Sequence, residues 1–251
     1  MKPKTLNTLS FALCFSAVGV FAQNAEVTNA VPKSPPWDLS AAAGLTLTRG
    51  NSKTLLGTAN LAGGKKWDEG KNELDLGVDG VYGENNSVKN AESLHGFGQY
   101  NRLFSDRAFG YLRLEGLHDA IADIDYRLMV DPGVGYYFIK GTNTTLRGEV
   151  GPGYLYEKDA DNSTHSYITL RVAERFERKM NDHVKLWESV EILPQVDRFS
   201  NYIINAELGV ESGMTKHLAL QTYIQDSYHS EPAVGRLKND IKLVAGIKYK
   251  F

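Results

Sequence analysis

Cysteine is almost absent from this sequence. Cys14 is the only cysteine among 251 residues, so the chain cannot form an internal disulfide. The residues before it, Phe11 to Leu13, are a poor match to a lipid-attachment site. The fold therefore has to be stabilised by noncovalent contacts alone.

A strong charge of either sign is also missing. The chain has 28 Lys and Arg residues against 30 Asp and Glu residues, a formal net charge of −2. Without a basic excess, a nucleic-acid partner is not expected. The six histidines are dispersed, with no i,i+2 or i,i+4 pair, and there is no thiol to join them. The sequence therefore predicts neither a metal site nor a cofactor.

Long hydrophobic runs are missing except near the N-terminus. Lys2 and Lys4 precede an apolar run from Leu9 to Phe21, and Val20-Phe21-Ala22 resembles a cleavage site. This pattern predicts a cleaved signal peptide at 1–22. A polar, proline-rich leader at 23–36 and one domain at 37–251 follow. If that domain spans a membrane, it has to do so as a closed β-barrel, because no later run is long enough for a membrane helix.

Alternation of apolar and polar residues is the strongest pattern in the chain. In the last stretch, Ile241, Leu243, Ala245, Ile247, Tyr249 and Phe251 alternate with mostly polar or small residues. A period of two is typical of a strand with one apolar face. Similar stretches begin at Trp37 and recur until twelve are counted, although His95, Phe97 and Gln99 mix the phases of the fourth.

Twelve such strands predict an all-β fold, an antiparallel up-and-down transmembrane β-barrel. An even number places both termini at one end. Short turns are expected at that end, starting at Ser105, Gly141, Asn181 and Thr215. The opposite connections, such as Asp119 to Asp125 and Ser227 to Asn239, are expected to be longer. The alternative is a soluble β-sandwich or lipocalin-like barrel with its apolar face turned inward.

Charged residues recur on the polar face and are the candidate site. In the membrane barrel they face the lumen, where they either plug it with ion pairs or line a narrow polar pore. They are Arg113, Glu115, Arg127, Asp131, Arg147, Glu149, Arg171, Arg175, Glu177, Lys185, Glu191, Glu207 and Glu211. Because twelve strands lie between filled eight-stranded barrels and open porins, the strand count does not decide between these two readings.

Several motifs together resemble one known family. They are the start at Trp37, the turn Thr48-Arg49-Gly50-Asn51-Ser52 and the closing Lys248-Tyr249-Lys250-Phe251. They are similar to an outer-membrane β-barrel family of unknown function whose members are often described as salt-induced outer membrane proteins. The resemblance implies a barrel in the outer membrane of a Gram-negative bacterium and an association with salt or osmotic stress. It supplies no catalytic residues.

The functional expectation is limited passage of small solutes, or envelope support under salt or osmotic stress. Outer-membrane lipids and lipopolysaccharide are the expected partners. The assembly machinery is expected to recognise the C-terminal strand through Tyr249 and Phe251, as in other outer-membrane barrels. The oligomeric state is left open.

A lipid-modifying outer-membrane enzyme is the alternative function. Ser163, His165 and Ser166 fall in one predicted loop, and His118 precedes Asp119 in another. A nucleophile needs an oriented base beside it, and no motif surrounds these residues, so no enzyme is predicted. Glu157, Asp159 and Asp161 could hold a divalent cation, but solvated loop carboxylates are the simpler interpretation.

Overall fold

Twelve β-strands form the described part of the chain. The computed structural model describes residues 37–49, 55–85, 88–232 and 235–251; the predicted signal peptide and leader lie outside the described residues. The strands are β1 (Asp38–Arg49), β2 (Leu55–Trp67), β3 (Asn72–Asn85), β4 (Val88–Leu103), β5 (Ala108–Asp119), β6 (Ile124–Lys140), β7 (Thr144–Asp159), β8 (Thr164–Lys179), β9 (Val184–Gln195), β10 (Arg198–Gly213), β11 (Leu218–His229) and β12 (Asn239–Lys250). No helix among the described residues is long and apolar enough to cross a membrane.

The sheet closes on itself. Each strand pairs antiparallel with its neighbours in sequence, and β1 pairs with β12 from Ser40↔Lys250 to Arg49↔Ile241. Closure leaves no unpaired sheet edge along this seam. The predicted antiparallel up-and-down barrel of twelve strands is confirmed.

The apolar residues of the strands face outward. Leu45, Leu61 and Ile247 are 55–60% exposed, whereas Asp131 and Asn101 are 0% exposed. A soluble barrel would bury the leucines and expose the carboxylate. The alternative with the apolar side inward is therefore wrong for this chain.

Aromatic side chains border the outer apolar band at both ends. At the end that carries the termini, Tyr136 and Phe138 are in contact with ring centroids 5.4 Å apart. At the opposite end Tyr126 stacks on Tyr156 at 5.9 Å, and Tyr202 stacks on Tyr228 at 5.8 Å. From Tyr126 to Tyr136 β6 rises about 33 Å, or about 25 Å along the axis at a tilt of about 40°, which matches the apolar band of membrane barrels.

On the inner face, aromatic rings cover glycines of the neighbouring strand. A Cβ added to any of these glycines would overlap the ring that lies over it. The cross-strand pairs are Phe97 over Gly77, Phe109 over Gly135, Tyr111 over Gly133 and Trp187 over Gly209. The pairing also resolves the mixed phase of β4, because Phe97 faces inward with His95 and Gln99 while Leu94 and Tyr100 face outward.

The sequence pattern suggests a purely polar inner face, but the structure shows apolar residues there as well. Two buried apolar clusters lie on it: Leu103, Phe109, Tyr111 and Tyr137 form one; Met129, Leu155, Leu193 and Ile203, with Tyr167 against them, form the other. Side chains of several strands thus fill part of the interior.

The expected contrast between short and long connections is largely wrong. At the end with the termini the connections are 68–71, 104–107, 141–143, 180–183 and 214–217. At the opposite end they are 50–54, 86–87, 120–123, 160–163, 196–197 and 230–238, of which only the last is distinctly longer. The reason is that polar residues expected in loops extend the strands beyond the apolar band, as Asp119 and Asp125 do.

Candidate functional site: the inner wall

Arg171 is the centre of the polar contacts on the inner face. It projects from β8 between two carboxylates on the neighbouring strands, with Nη1 2.8 Å from Glu149 Oε2 and Nε 2.5 Å from Glu191 Oε2. Its guanidinium also lies 5.3 Å from the ring centroid of Tyr111. Two carboxylates and a ring hold this cation in one orientation.

Some of these contacts join strands that are not neighbours in the sheet. Gln99 on β4 donates to Glu149 on β7 at 3.0 Å, and Tyr137 on β6 donates to Glu73 on β3 at 2.7 Å. Gln99 also donates to Asn101 at 3.0 Å. Such contacts have to cross the interior of the barrel. We call these seven residues the inner network: Glu73, Gln99, Asn101, Tyr137, Glu149, Arg171 and Glu191.

On other strands the polar contacts follow the wall. Glu207 on β10 accepts from Trp187 Nε1 at 2.5 Å and from Gln225 Nε2 at 2.7 Å, one residue on each adjacent strand. Glu211 on β10 accepts from Lys248 at 3.1 Å and from Lys250, which both lie on β12, one strand beyond the adjacent β11. Away from these two lysines, most inner side chains of β12, β1 and β2 are small, among them Ala42, Gly44, Thr58, Ala62 and Gly246.

The candidate residues chosen from the sequence take part in these contacts with one exception. Arg113 forms an ion pair with Glu115 at 2.6 Å. His95 lies 3.2 Å from the same carboxylate. Further ion pairs of these candidates are Arg127 with Glu157, Arg147 with Glu149 at 3.2 Å, Arg175 with Glu177 at 2.8 Å and Lys185 with Glu177 at 2.7 Å.

The exception is Asp131, which is completely buried on β6. Neither of its carboxylate oxygens has a hydrogen-bond partner among the described residues, and the same holds for Thr169 Oγ1. Both side chains crowd the position that a Cβ of Gly153 would occupy. Arg113 stands opposite Asp131 in the β5–β6 register but donates to Glu115 instead.

Several residues of the inner wall were missed by sequence reasoning. Glu73, Asp75 and Asp79 share one face of β3, and the other face carries Leu74, Leu76 and Val78. The period of two in the sequence was therefore enough to predict that these carboxylates face inward. The inward position of Tyr137 and Gln99 could not be predicted in this way. Both are uncharged and stand beside aromatic residues, so the alternation of apolar and polar residues does not show which face of the strand they occupy.

The loop residues considered for catalysis do not form a nucleophile–base pair. Ser163 Oγ donates to Asp159 Oδ2 at 2.9 Å, and His165 Nε2 lies 3.1 Å from the same oxygen. The carboxylate therefore stands where the imidazole would have to be. His118 contacts the backbone oxygen of Asp125 at 2.7 Å. Ser166 lies on β8.

A serine–histidine contact does occur near the end of β11. Ser227 Oγ is 3.3 Å from His229 Nε2, but it is only 2.9 Å from Asn205 Oδ1, to which it donates its single proton. Among the described residues no group of three or more His, Cys, Asp or Glu side chains is placed to hold a metal ion.

Comparison with known proteins gives the chain a family. Residues 41–251 match the family described as "Protein of unknown function, DUF481". The chain belongs to this family. A relative from Escherichia coli K12, the uncharacterized protein YdiY, is 23% identical over 91% of this chain and 92% of its own length. Neither description mentions salt, so that part of the resemblance stays a prediction.

The fold is shared with solved outer-membrane barrels. The NanC porin aligns with a TM-score of 0.56 at 10% identity, over 84% of this chain and all of the porin chain. An outer membrane channel from Pseudomonas putida F1 aligns with a TM-score of 0.53 at 10% identity, over 90% of this chain and all of the channel chain. The fold class is therefore that of a transmembrane β-barrel, as predicted.

Proposed function

We propose that this protein is an outer-membrane channel of a Gram-negative bacterium that passes small polar solutes along one side of its interior. The observation that carries the proposal is the uneven filling of the barrel. The inner network crosses the interior from β3 and β4 to β6 and β7. Away from Lys248 and Lys250, most inner side chains of β12, β1 and β2 are small. A path along this wall would not have to break the network.

The pairing of the inner charges indicates what kind of solute would pass. Arg171, Arg113 and Arg175 are each bonded to at least one carboxylate. Paired charges give a weaker net field than a run of free cations or free carboxylates. We therefore expect weak selectivity between cations and anions, and passage of uncharged or zwitterionic solutes.

Other features support an entrance and a membrane location. A cavity of about 640 Å³ opens at the end that carries the termini, lined in part by Lys185, Glu211 and Lys250. The aromatic residues at both ends of the apolar band are what a bilayer crossing requires. The likeness to a porin and a channel supports the same function. The predicted signal peptide would direct the chain for export.

The test is planar-bilayer conductance of the refolded protein, with a phospholipid hydrolysis assay on the same sample. Thr58 faces inward on the open side between Gly44 and Val81, and Ala59 next to it faces outward. Thr58→Trp should lower the single-channel conductance severalfold. Ala59→Trp changes the same strand by a similar volume on the lipid side, and it should leave the conductance unchanged.

Three outcomes would overturn the proposal or its path. Absence of discrete conductance steps from folded protein would favour passive support of the envelope. Release of fatty acid that disappears in Ser227→Ala would point to the enzyme instead. Equal loss of conductance in both tryptophan variants would show that the path does not run beside β2.

A further inference from the structure

The connection between β11 and β12 makes a contact far from its own strands. Its described residues are 230–232 and 235–238, and we call residues 235–238 the mouth loop. Arg236 donates from Nε to Asp123 Oδ2 and from a terminal nitrogen to Asp123 Oδ1, both at 2.6 Å. Asp123 belongs to the turn 120–123 between β5 and β6. The two residues are separated by 113 positions in the chain.

The closed strand order places this contact across the opening of the barrel. The β11–β12 hairpin and the β5–β6 hairpin lie halfway around the barrel from each other. Twelve strands about 4.8 Å apart and tilted by about 40° enclose a backbone diameter of roughly 24 Å. The four residues of the mouth loop can span about 13 Å at about 3.3 Å per residue. A loop of this length can therefore meet the opposite turn near the middle of the opening.

Both partners of the contact are anchored at their bases. His229 donates its backbone N–H to Lys238 O at 2.7 Å, Ser230 donates to Tyr202 O at 3.0 Å, and Arg198 pairs with Glu231 at 2.6 Å. These contacts fix the mouth loop to the rim at β10.

The opposite turn is held in the same way. Asp119 Oδ1 accepts the backbone N–H groups of Ile121 and Ala122 at 3.0 and 2.9 Å. Ala160 of the next connection donates to Asp123 O at 2.8 Å. Because both bases are fixed, the Arg236–Asp123 ion pair is a contact across the opening that has to break before the opening can widen.

We propose that the mouth loop is a lid over the barrel opening and that the Arg236–Asp123 pair is its latch. The inference rests on the proposed function, since a lid matters only if solutes pass. The latch side chains are 29% and 36% exposed, so water and salt can compete for the pair. The bidentate geometry gives the closed position one orientation, and the exposure makes the closure reversible.

Single-channel recording of Arg236→Gln tests the latch. At about 0.1 M salt the variant should be open about two- to fivefold more often than the wild type, the population change expected from one exposed ion pair. The difference should shrink at about 1 M salt, where the Debye length is about 3 Å.

Lys158→Gln is the matched control. The pair between Lys158 and Asp125, at 3.1 Å, lies at the same end of the barrel but joins the adjacent strands β7 and β6. Removing it should leave the open fraction unchanged at both salt concentrations. An equal effect of the two variants, or no effect of Arg236→Gln, would overturn the latch while leaving the channel in place.

A cross-linking measurement separates the lid from the channel. In a variant with Asp123→Cys and Arg236→Cys, a short bifunctional maleimide should join the two thiols and change the gel mobility; a linker is needed because a direct disulfide requires closer Cα atoms than an arginine–aspartate pair ensures. The variant with Asp125→Cys and Arg236→Cys is the comparison and should cross-link much less. Cross-linking without conductance would keep the crossing geometry and overturn the channel. Absence of the cross-link in folded protein would overturn the lid.

Discussion

Asp131 is a buried carboxylate in an unfavourable position. Every other charged candidate on the inner wall has a partner, whereas both oxygens of Asp131 lack one. An unpaired charge in a medium of low polarity costs several kcal/mol or is neutralised. Glu149 is the opposite case, since it is equally enclosed but accepts from Gln99 and pairs with Arg147 and Arg171.

The two carboxylates therefore predict mutational effects of opposite sign. Asp131→Asn removes an uncompensated charge and should raise the free energy of unfolding by about 1–3 kcal/mol. Glu149→Gln leaves the two arginines without their shared carboxylate and should lower it by about 3–5 kcal/mol. Both are measured in lipid vesicles by the gel shift of folded barrels against urea. A destabilising Asp131→Asn would show that the carboxylate has a partner in the membrane.

At the scale of single residues, the sequence identified the face of a side chain but not its partner. Arg113 could have paired with Asp131, which stands opposite it, or with Glu115 two residues along. The choice depends on rotamers and on the position of His95, which alternation does not encode. The link from Tyr137 to Glu73 depends on the curvature of the barrel, because the two strands are not adjacent.

At the scale of the strand, the facing of each residue decides whether charge is tolerated. Leu243 is 41% exposed on the outer face of β12. Leu243→Arg should lower the stability in vesicles by about 2–4 kcal/mol, because the guanidinium would enter hydrocarbon. Lys248→Gln on the inner face of the same strand should cost less, although it removes one of two ion pairs to Glu211. Urea titration of both variants checks this, and a harmless Leu243→Arg would contradict a lipid-facing position.

All twelve strands could be predicted from alternation because each has one face in contact with apolar surroundings. The pattern failed where an inner residue is itself aromatic, as with Phe97, whose ring fills the space left by Gly77. The pattern also made the strands shorter than they are. Polar residues near the ends, such as Asp125, continue the backbone pairing while the side chains turn to water or to other rim residues.

At the scale of the whole molecule, the latch should respond to acid in a defined range. The two hydrogen bonds from Arg236 hold the pKa of Asp123 below its ordinary value, although Asp161 nearby acts in the opposite direction. Asp119 and Asp240 also lie close enough to Arg236 for their negative charges to stabilise its positive charge. A depressed pKa means that the latch is fully formed above the ordinary pKa of about 3.9 and is lost as the pH falls through the lower value.

The difference in open fraction between wild type and Arg236→Gln should therefore be constant from about pH 8 down to about pH 4, and should decline only at lower pH, where the Asp123 carboxylate takes up a proton. Single-channel recording over this range measures it. A change centred between about pH 6 and pH 7 would contradict control of the latch by the Asp123 carboxylate.

The seam between β1 and β12 has a consequence for how the barrel is made. The other strand pairs of the described barrel join neighbours in sequence and can form as local hairpins, whereas Ser40 has to find Lys250. Contacts between such distant segments form slowly, and until they form, both edge strands present unpaired backbone groups that hydrocarbon cannot satisfy. Gly44 and Gly246 face each other at the seam, and a Cβ on Gly44 would stand 2.9 Å from Gly246 Cα. Entry into the bilayer and joining of the first strand to the last are thus one coupled kinetic event, and these two glycines keep its final contact free of side chains.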